Sequence, residues 1–180
     1  MRFDWIDYPA QYEDEIETWC DEAAVRFALD DDSVKIEHQW YLDSDNYTYN
    51  SDYFCKIIFD GETPVAILMM AKWNEATLRL NENVIYLDTL IINPALRNQG
   101  YGTRIVTNVM KRVNQLVGDG TNIFIAQIHK DNDISKKLAG KLGFHRIYLD
   151  FMVNDTNRDW FDWIYPLSAA ERFIAVRYTK

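Results

Sequence analysis

The chain has 180 residues, 48% hydrophobic and 26% charged, which suits one α/β domain with a proper core and leaves little for a second. Its formal net charge of −9 would repel a phosphate backbone and argues against general nucleic-acid binding. The longest apolar run, PVAILMMA at residues 64–71, is far short of the roughly 20 residues a membrane helix needs.

The charge is unevenly spread. Residues 1–52 hold fifteen Asp or Glu against three Lys or Arg, and residues 53–180 hold thirteen against sixteen. Such an acidic half is either a solvated surface that keeps the protein soluble or a rim that attracts a cationic small molecule. Cys20 and Cys55 lack CxxC or metal-type spacing. With no secretory leader recognisable, the expectation is a cytoplasmic protein with reduced thiols.

In chain order, RFDWI (residues 2–6) reads as a short strand. Residues 12–29 place Ile16, Trp19, Cys20, Ala23, Ala24 and Phe27 at helical spacing and predict one helix. DDDS, ending at Ser33, caps a second helical stretch through about Leu42. YFCKIIF (53–59), the turn DGETP and VAILMMAKW (65–73) predict a hairpin, with Asp60-Gly61 as its turn signal. NVIYLDTLII (83–92) is nearly continuous apolar sequence, as in a strand covered on both faces. Residues 100–116 are the clearest helix, with Ile105, Val106, Val109, Met110, Val113 and Leu116 on one face, and GDG (118–120) stopping it. NIFIAQI (122–128) is another buried strand, and 132–142 a short helix ending at Gly143. RIYLDFMV and RFIAVRY are two late strands joined by a Trp-rich loop. The sum is an α/β fold, a mixed sheet with helices on its faces.

Between strand 83–92 and helix 100–116 lies RNQGYG, Arg97 to Gly102. A helix start offers unpaired N–H groups and the positive end of the helix dipole, and glycines there let an anion approach the main chain. The turn therefore reads as a pyrophosphate cradle, with Arg97 as an available positive charge. A Walker loop is excluded because no Gly-Lys-Ser/Thr follows, and a dinucleotide fingerprint because position 105 is Ile105. A ligand-free strand-to-helix turn is the plain alternative.

Two segments carry more than the turn alone. YLDTLIINPALRNQGYGTRIV (86–106) resembles motif A of the GNAT superfamily of acyl-CoA N-acyltransferases, in which a strand leads to Arg/Gln-x-x-Gly-x-Gly/Ala and a helix. DNDISKKLAGKLGF (131–144) resembles its motif B, with Asn132, Ser135, Leu138, Gly143 and Phe144 at the matching places. The resemblance covers residues 53–151 well. It implies one GNAT-like domain over 1–180, with an acetyl-CoA co-substrate wedged between two parallel strands, 83–92 and 122–128, that splay apart. It implies that main chain at Leu90, Ile91 and Ile92 holds the pantetheine and polarises the thioester. The amides of Gln99, Gly100, Tyr101, Gly102 and Thr103, with Arg97, would hold the pyrophosphate; Asn132 and Ser135 would reach the pantetheine arm. Dimers are frequent in this family, which makes a homodimer an expectation.

For chemistry, an amine must lose a proton to attack a thioester and the thiolate may need one back. Asp88, a carboxylate inside an apolar strand, is the leading general base; YLD also resembles the YLE of polyamine acetyltransferases, where the acid is the proposed base. A carboxylate satisfied by backbone or a basic partner is the alternative. Glu82 and His129 are in reserve, His129 more simply read as a solvent-facing loop residue. The motif B tyrosine that commonly protonates the thiolate is replaced by Ala139. Tyr101 or Tyr148 could serve instead, or water, or the thiolate leaves unassisted, or catalysis is lost. No metal is expected, because His38, His129 and His145 have no ligand spacing. The acceptor is expected to be a small polyamine, amino sugar or amino-acid amine near the acidic first half, where Trp40, Tyr41, Tyr47 and Tyr49 interleave with Asp43, Asp45 and Asp52; a peptide N-terminus or lysine stays open, and the plain alternative is that these aromatics are core and the acids surface. A non-catalytic acyl-CoA sensor and an interaction module that binds no CoA are the rival readings.

Overall fold

The computed structural model describes residues 3–8, 10–27, 33–35, 53–73, 83–117, 121–129, 131–147 and 172–178. These residues carry a seven-stranded sheet. The strands are β1 (Asp4–Asp7), β2 (Tyr53–Asp60), β3 (Thr63–Trp73), β4 (Asn83–Ile92), β5 (Thr121–His129), β6 (His145–Ile147) and β7 (Arg172–Tyr178). Their order across the sheet is β1-β2-β3-β4-β5-β7-β6. Only β4 and β5 run parallel; every other neighbouring pair is antiparallel. The helices are α1 (Glu13–Glu17), α2 (Glu22–Phe27), α3 (Tyr101–Val117) and α4 (Asp133–Lys141).

The β2–β3 hairpin forms as its sequence requires. Asp60 pairs with Thr63, leaving a two-residue loop in which Gly61 takes φ 65°, a conformation only glycine adopts without a steric penalty. Pairing of β3 to β4 and α3 over the sheet then builds one core. Ile105, Val106 and Val109 of α3 pack with Leu68, Met70, Ile85 and Phe124 of the sheet, Ala139 of α4 and Leu142 just after it. Each fully buried Ile or Val there contributes about 1.5–3 kcal/mol. On the opposite face Ile16, Trp19 and Ala24 from α1, α2 and their connection cover Cys55, Ile57, Ile67, Met69 and Ile91. Helices therefore lie on both faces, and both cysteines are free thiols.

The helix expected over 12–29 is instead two short helices. Thr18 Oγ1 and N–H both return to the Glu15 carbonyl, and Cys20 N–H returns to Glu17, which tightens and ends α1. Asp21 then accepts the Ala24 N–H at 3.0 Å and starts α2 as its N-cap. Ile16 and Trp19 are three apart and both buried, so the periodicity ran on across a break it could not reveal. Of the helix expected from Ser33 only residues 33–35 are described, and of the strand expected at 146–153 only its first residues, within β6. The GDG stop, the Trp-rich loop and the aromatic–acid stretch at 40–52 lie outside the described residues.

Candidate active site

β4 and β5 begin side by side and then part. Their register runs Asn83↔Thr121 through Tyr86↔Ile125 and stops there. Beyond it β4 stays on β3 as far as Ile92↔Ala66, while β5 stays on β7 as far as His129↔Arg172. A gap opens between Leu87–Ile92 on one side and Ala126–His129 on the other.

The parting coincides with an irregularity in β4. Met69 pairs with Thr89 but Met70 pairs with Leu87, so Asp88 is an extra residue, a β-bulge. Leu87 and Leu90 both pack on the α3 side, three residues apart rather than two, which only the extra residue allows. The half-buried Asp88 thus sits where the gap begins, beside the buried Thr89.

The main chain of β4 is open along this gap. Asn93 donates its N–H to the Val65 carbonyl at 2.9 Å. By strand alternation, the peptide groups of Ile91 and Thr89 also turn to β3, and those of Leu90 and Ile92 turn away from it. Arg97 Nε bonding to the Ile92 carbonyl at 3.2 Å agrees. The N–H and C=O of Leu90 and the N–H of Ile92 therefore face the gap. The expected trio is corrected at Ile91, whose peptide groups belong to β3 and whose side chain is buried beneath α1 and α2.

Past β4 the chain makes one 3₁₀ turn, Pro94–Leu96, started by Asn93 accepting the Ala95 N–H at 3.0 Å. Asn98 (φ 62°) and Gly100 (φ 80°) are then both left-handed. A Cβ at Gly100 would meet nothing within 4 Å, so glycine is required there by the backbone and not by crowding. Arg104 N–H is the first to close on a carbonyl of this turn, that of Gly100 at 3.2 Å. The N–H groups of Tyr101, Gly102 and Thr103 meet no acceptor among the described residues, and the first turn of α3 carries no acid. Unpaired amides and an unopposed dipole have the chemistry that suits an anion. Gln99, exposed, turns its amide back to the Ala95 carbonyl at 3.1 Å.

Two expected side chains are committed elsewhere. Arg97 is not an available charge: Nη1 pairs with Asp21, Nη2 reaches the Trp19 carbonyl at 3.4 Å, and Nε takes Ile92. The Tyr101 hydroxyl donates to Asp60 at 2.9 Å, its ring lies by Phe3, and Arg104 stacks over it at 4.0 Å. Those contacts commit the hydroxyl to Asp60 of β2 and the ring to Phe3, on the β1–β2 side of the sheet. Tyr148 and Glu82 lie outside the described residues.

Across the gap β5 leads into α4. Asn132 caps that helix through Oδ1, which accepts the Ser135 N–H at 3.0 Å; Ser135 is half-buried. Ala139, at the tyrosine position of motif B, is packed into the core with Leu142 and Phe144. His129, at the end of β5, is a correction. It is buried at 8% exposure because it belongs to the strand, and it alternates with Ile128 of the α3-side core. Its Nδ1 accepts the Asp131 N–H at 3.1 Å. Sequence reading missed Asp21 altogether, although an acid three residues before Ala24 is an N-cap signal.

Comparison with known proteins gives the family and the fold. The family model of the acetyltransferase (GNAT) family matches residues 9–144. The chain belongs to that family. No curated protein matches it in sequence. Among solved structures, a Bacillus subtilis acetyltransferase in complex with CoA is similar at 11% identity and TM-score 0.62, covering 99% of both chains. The aminoglycoside N(6′)-acetyltransferase of Legionella pneumophila is similar at 13% identity and TM-score 0.68, covering 99% of this chain and 92% of that one. RimL, the ribosomal L7/L12 alpha-N-protein acetyltransferase, in complex with coenzyme A, is similar at 10% identity and TM-score 0.64, covering 98% and 93%. At these identities the likeness is one of fold.

Proposed function

We propose that this chain is an N-acetyltransferase, a single domain that moves an acetyl group from acetyl-CoA to the primary amine of a small cationic molecule by direct attack. The observation that carries the reading is the gap between β4 and β5, open along the β4 main chain and ending at the bare start of α3. The diphosphate of CoA would rest on the amides at Gly100–Thr103, and the pantetheine amides would pair with the peptide groups of Leu90 and Ile92 as a short extra strand does. The Leu90 N–H would then be placed to polarise the thioester carbonyl.

Asp88 takes the proton from the ammonium, and the neutral amine attacks the acetyl carbon. The tetrahedral intermediate collapses with loss of the CoA thiolate, and the second proton of the attacking nitrogen passes to that thiolate; the products are an N-acetyl amine, CoA as its thiol and a protonated Asp88 that returns its proton to solvent. A thiol with an ordinary pKa near 8.5 is a tolerable leaving group without a tyrosine. The acidic first third of the chain, with Glu13, Asp14, Glu15, Glu17 and Glu22 on α1 and α2, favours a cationic acceptor, as does the aminoglycoside-modifying neighbour. The test is thiol release from acetyl-CoA over a panel of polyamines, amino sugars, amino acids and peptide N-termini, with Asp88→Asn beside the wild type. Amine-dependent release that falls in the variant supports the reading.

A second reading is favoured by one observation: the buried Ala139 leaves motif B without its tyrosine. An acyl-CoA-binding sensor would keep the donor site and turn nothing over. Acetyl-CoA binding without release on any amine of the panel would favour it.

A further inference from the structure

The strongest unexplained feature is the commitment of Arg97. Its residue belongs to the turn that ends at the α3 start, yet all three guanidinium nitrogens point back across the sheet end. Nε holds the Ile92 carbonyl at 3.2 Å, Nη2 holds the Trp19 carbonyl at 3.4 Å, and Nη1 pairs with Asp21. Asp21 uses its other oxygen to cap α2 at Ala24, and the Arg97 hydrogen bond holds its carboxyl below the usual carboxylate range. Trp19 is itself buried in the cluster that holds Ile91 and Met69. One side chain therefore ties the open edge of β4 to the α1–α2 connection and the N-cap that ends it, two regions more than 70 residues apart in sequence.

We propose that Arg97 and Asp21 are a positioning clasp that transmits occupancy of the donor turn to the α1–α2 wall of the acceptor side. This rests on the reading of the α3 start as the CoA diphosphate site. The guanidinium, spent on three partners, is a strut and not a phosphate ligand. A ligand that fixes Asn98 to Gly102 fixes the backbone of Arg97, and the fork geometry of arginine passes that order to Trp19 and Asp21 through several bonds at once. The α1–α2 connection, two short helices with a break between them, is the kind of element whose local opening such ties control. The donor would thus order the acceptor wall before the acceptor arrives.

The test uses coenzyme A itself as the probe, with amide hydrogen exchange over residues 19–27 read with and without it. Wild type, Asp21→Asn and Arg97→Lys are compared. Asparagine keeps an N-cap oxygen for α2 and lysine keeps the charge, so both variants leave the fold its local chemistry while breaking the fork. The expected result is that CoA slows exchange at Ala24 and its neighbours about 5-fold or more in wild type, the low end of ordinary coupling between sites. Both variants should bind CoA within about threefold of wild type, since main-chain amides hold the diphosphate, and should lose the slowing. A merely structural tie would raise exchange in the variants equally with and without CoA. That pattern, or wild type binding CoA with no change over these amides, overturns the clasp alone. A large loss of CoA affinity in Arg97→Lys overturns it too, by making Arg97 a ligand. Wild type that binds no CoA overturns the donor-site reading and the clasp together.

Discussion

Two helices start where the two parted strands end, and they start differently. α4 follows β5 and is closed: Asn132 caps it, Asp133 offsets its dipole, and Lys136 pairs with Asp133 at 2.6 Å. α3 follows β4 and is bare, with no acid in its first turn and three amides lacking an acceptor among the described residues. A 17-residue helix with an unsatisfied start carries a cost that a cap would remove at about 1 kcal/mol. The capped start stabilises the fold, and the bare one is where the proposed function rests the donor. The bulge at Asp88 and the open edge at Leu90 stand on the same side of the gap as the bare start.

That contrast can be broken from several directions. The largest effect is expected at the bulge. Asp88→Asn should lower the rate of amine-dependent thiol release by about 10²–10⁴, the worth of a general base, while acetyl-CoA raises the melting temperature as in wild type. Unchanged turnover would remove Asp88 from the chemistry and turn attention to His129 across the gap.

The closed helix start should behave as structure. Asn132→Ala should cost about 1 kcal/mol, a fall of about 2–4 °C in melting temperature for a chain of this size, with the acetyl-CoA-induced shift retained. A loss of that shift would make α4 a second donor contact and blur the contrast.

The smallest effect is expected at the clasp. The Arg97–Asp21 pair is part-exposed, at 32% and 41% of the side chains, so its worth to folding is about 0–1 kcal/mol. Because the Asp21 carboxyl is held below its ordinary value of 3.8, its contribution is full above that pH and fades as pH falls through the folded-state value. Urea melts of wild type and Asp21→Asn should differ at pH 7 and draw together only as pH falls below the ordinary 3.8; a gap that persists in strong acid would assign the difference to something other than the charge.

How much of this could be read from the chain depends on range. The β2–β3 hairpin, β4 from Asn83 to Ile92, α3 and the glycine turn were legible because apolar spacing and turn residues are local signals. The family was legible because RNQGYG and DNDISKKLAGKLGF stand in order. The bulge at Asp88 was not, because register is set by the partner strand: nothing in YLDT says that Met69 will face Thr89 while Met70 faces Leu87. Arg97 misled for the same reason. An arginine in a glycine turn reads as a phosphate ligand until Asp21, 76 residues earlier, claims it. His129 misled because β5 runs to the end of the apolar stretch and carries the ring inside with it.

The central claim is that the bare start of α3 holds the donor, and thermal unfolding with and without acetyl-CoA on wild type and Gly100→Asp tests it most directly. Aspartate tolerates a left-handed backbone better than most residues, but it would bring a carboxylate to the amides proposed to hold the diphosphate. At about 4 Å two like charges near a protein surface repel by about 4 kcal/mol, enough to abolish binding at ordinary concentrations. The account expects a clear donor-dependent rise in melting temperature for the wild type and none for the variant. An equal rise in both would contradict it, and so would no rise in wild type at millimolar acetyl-CoA.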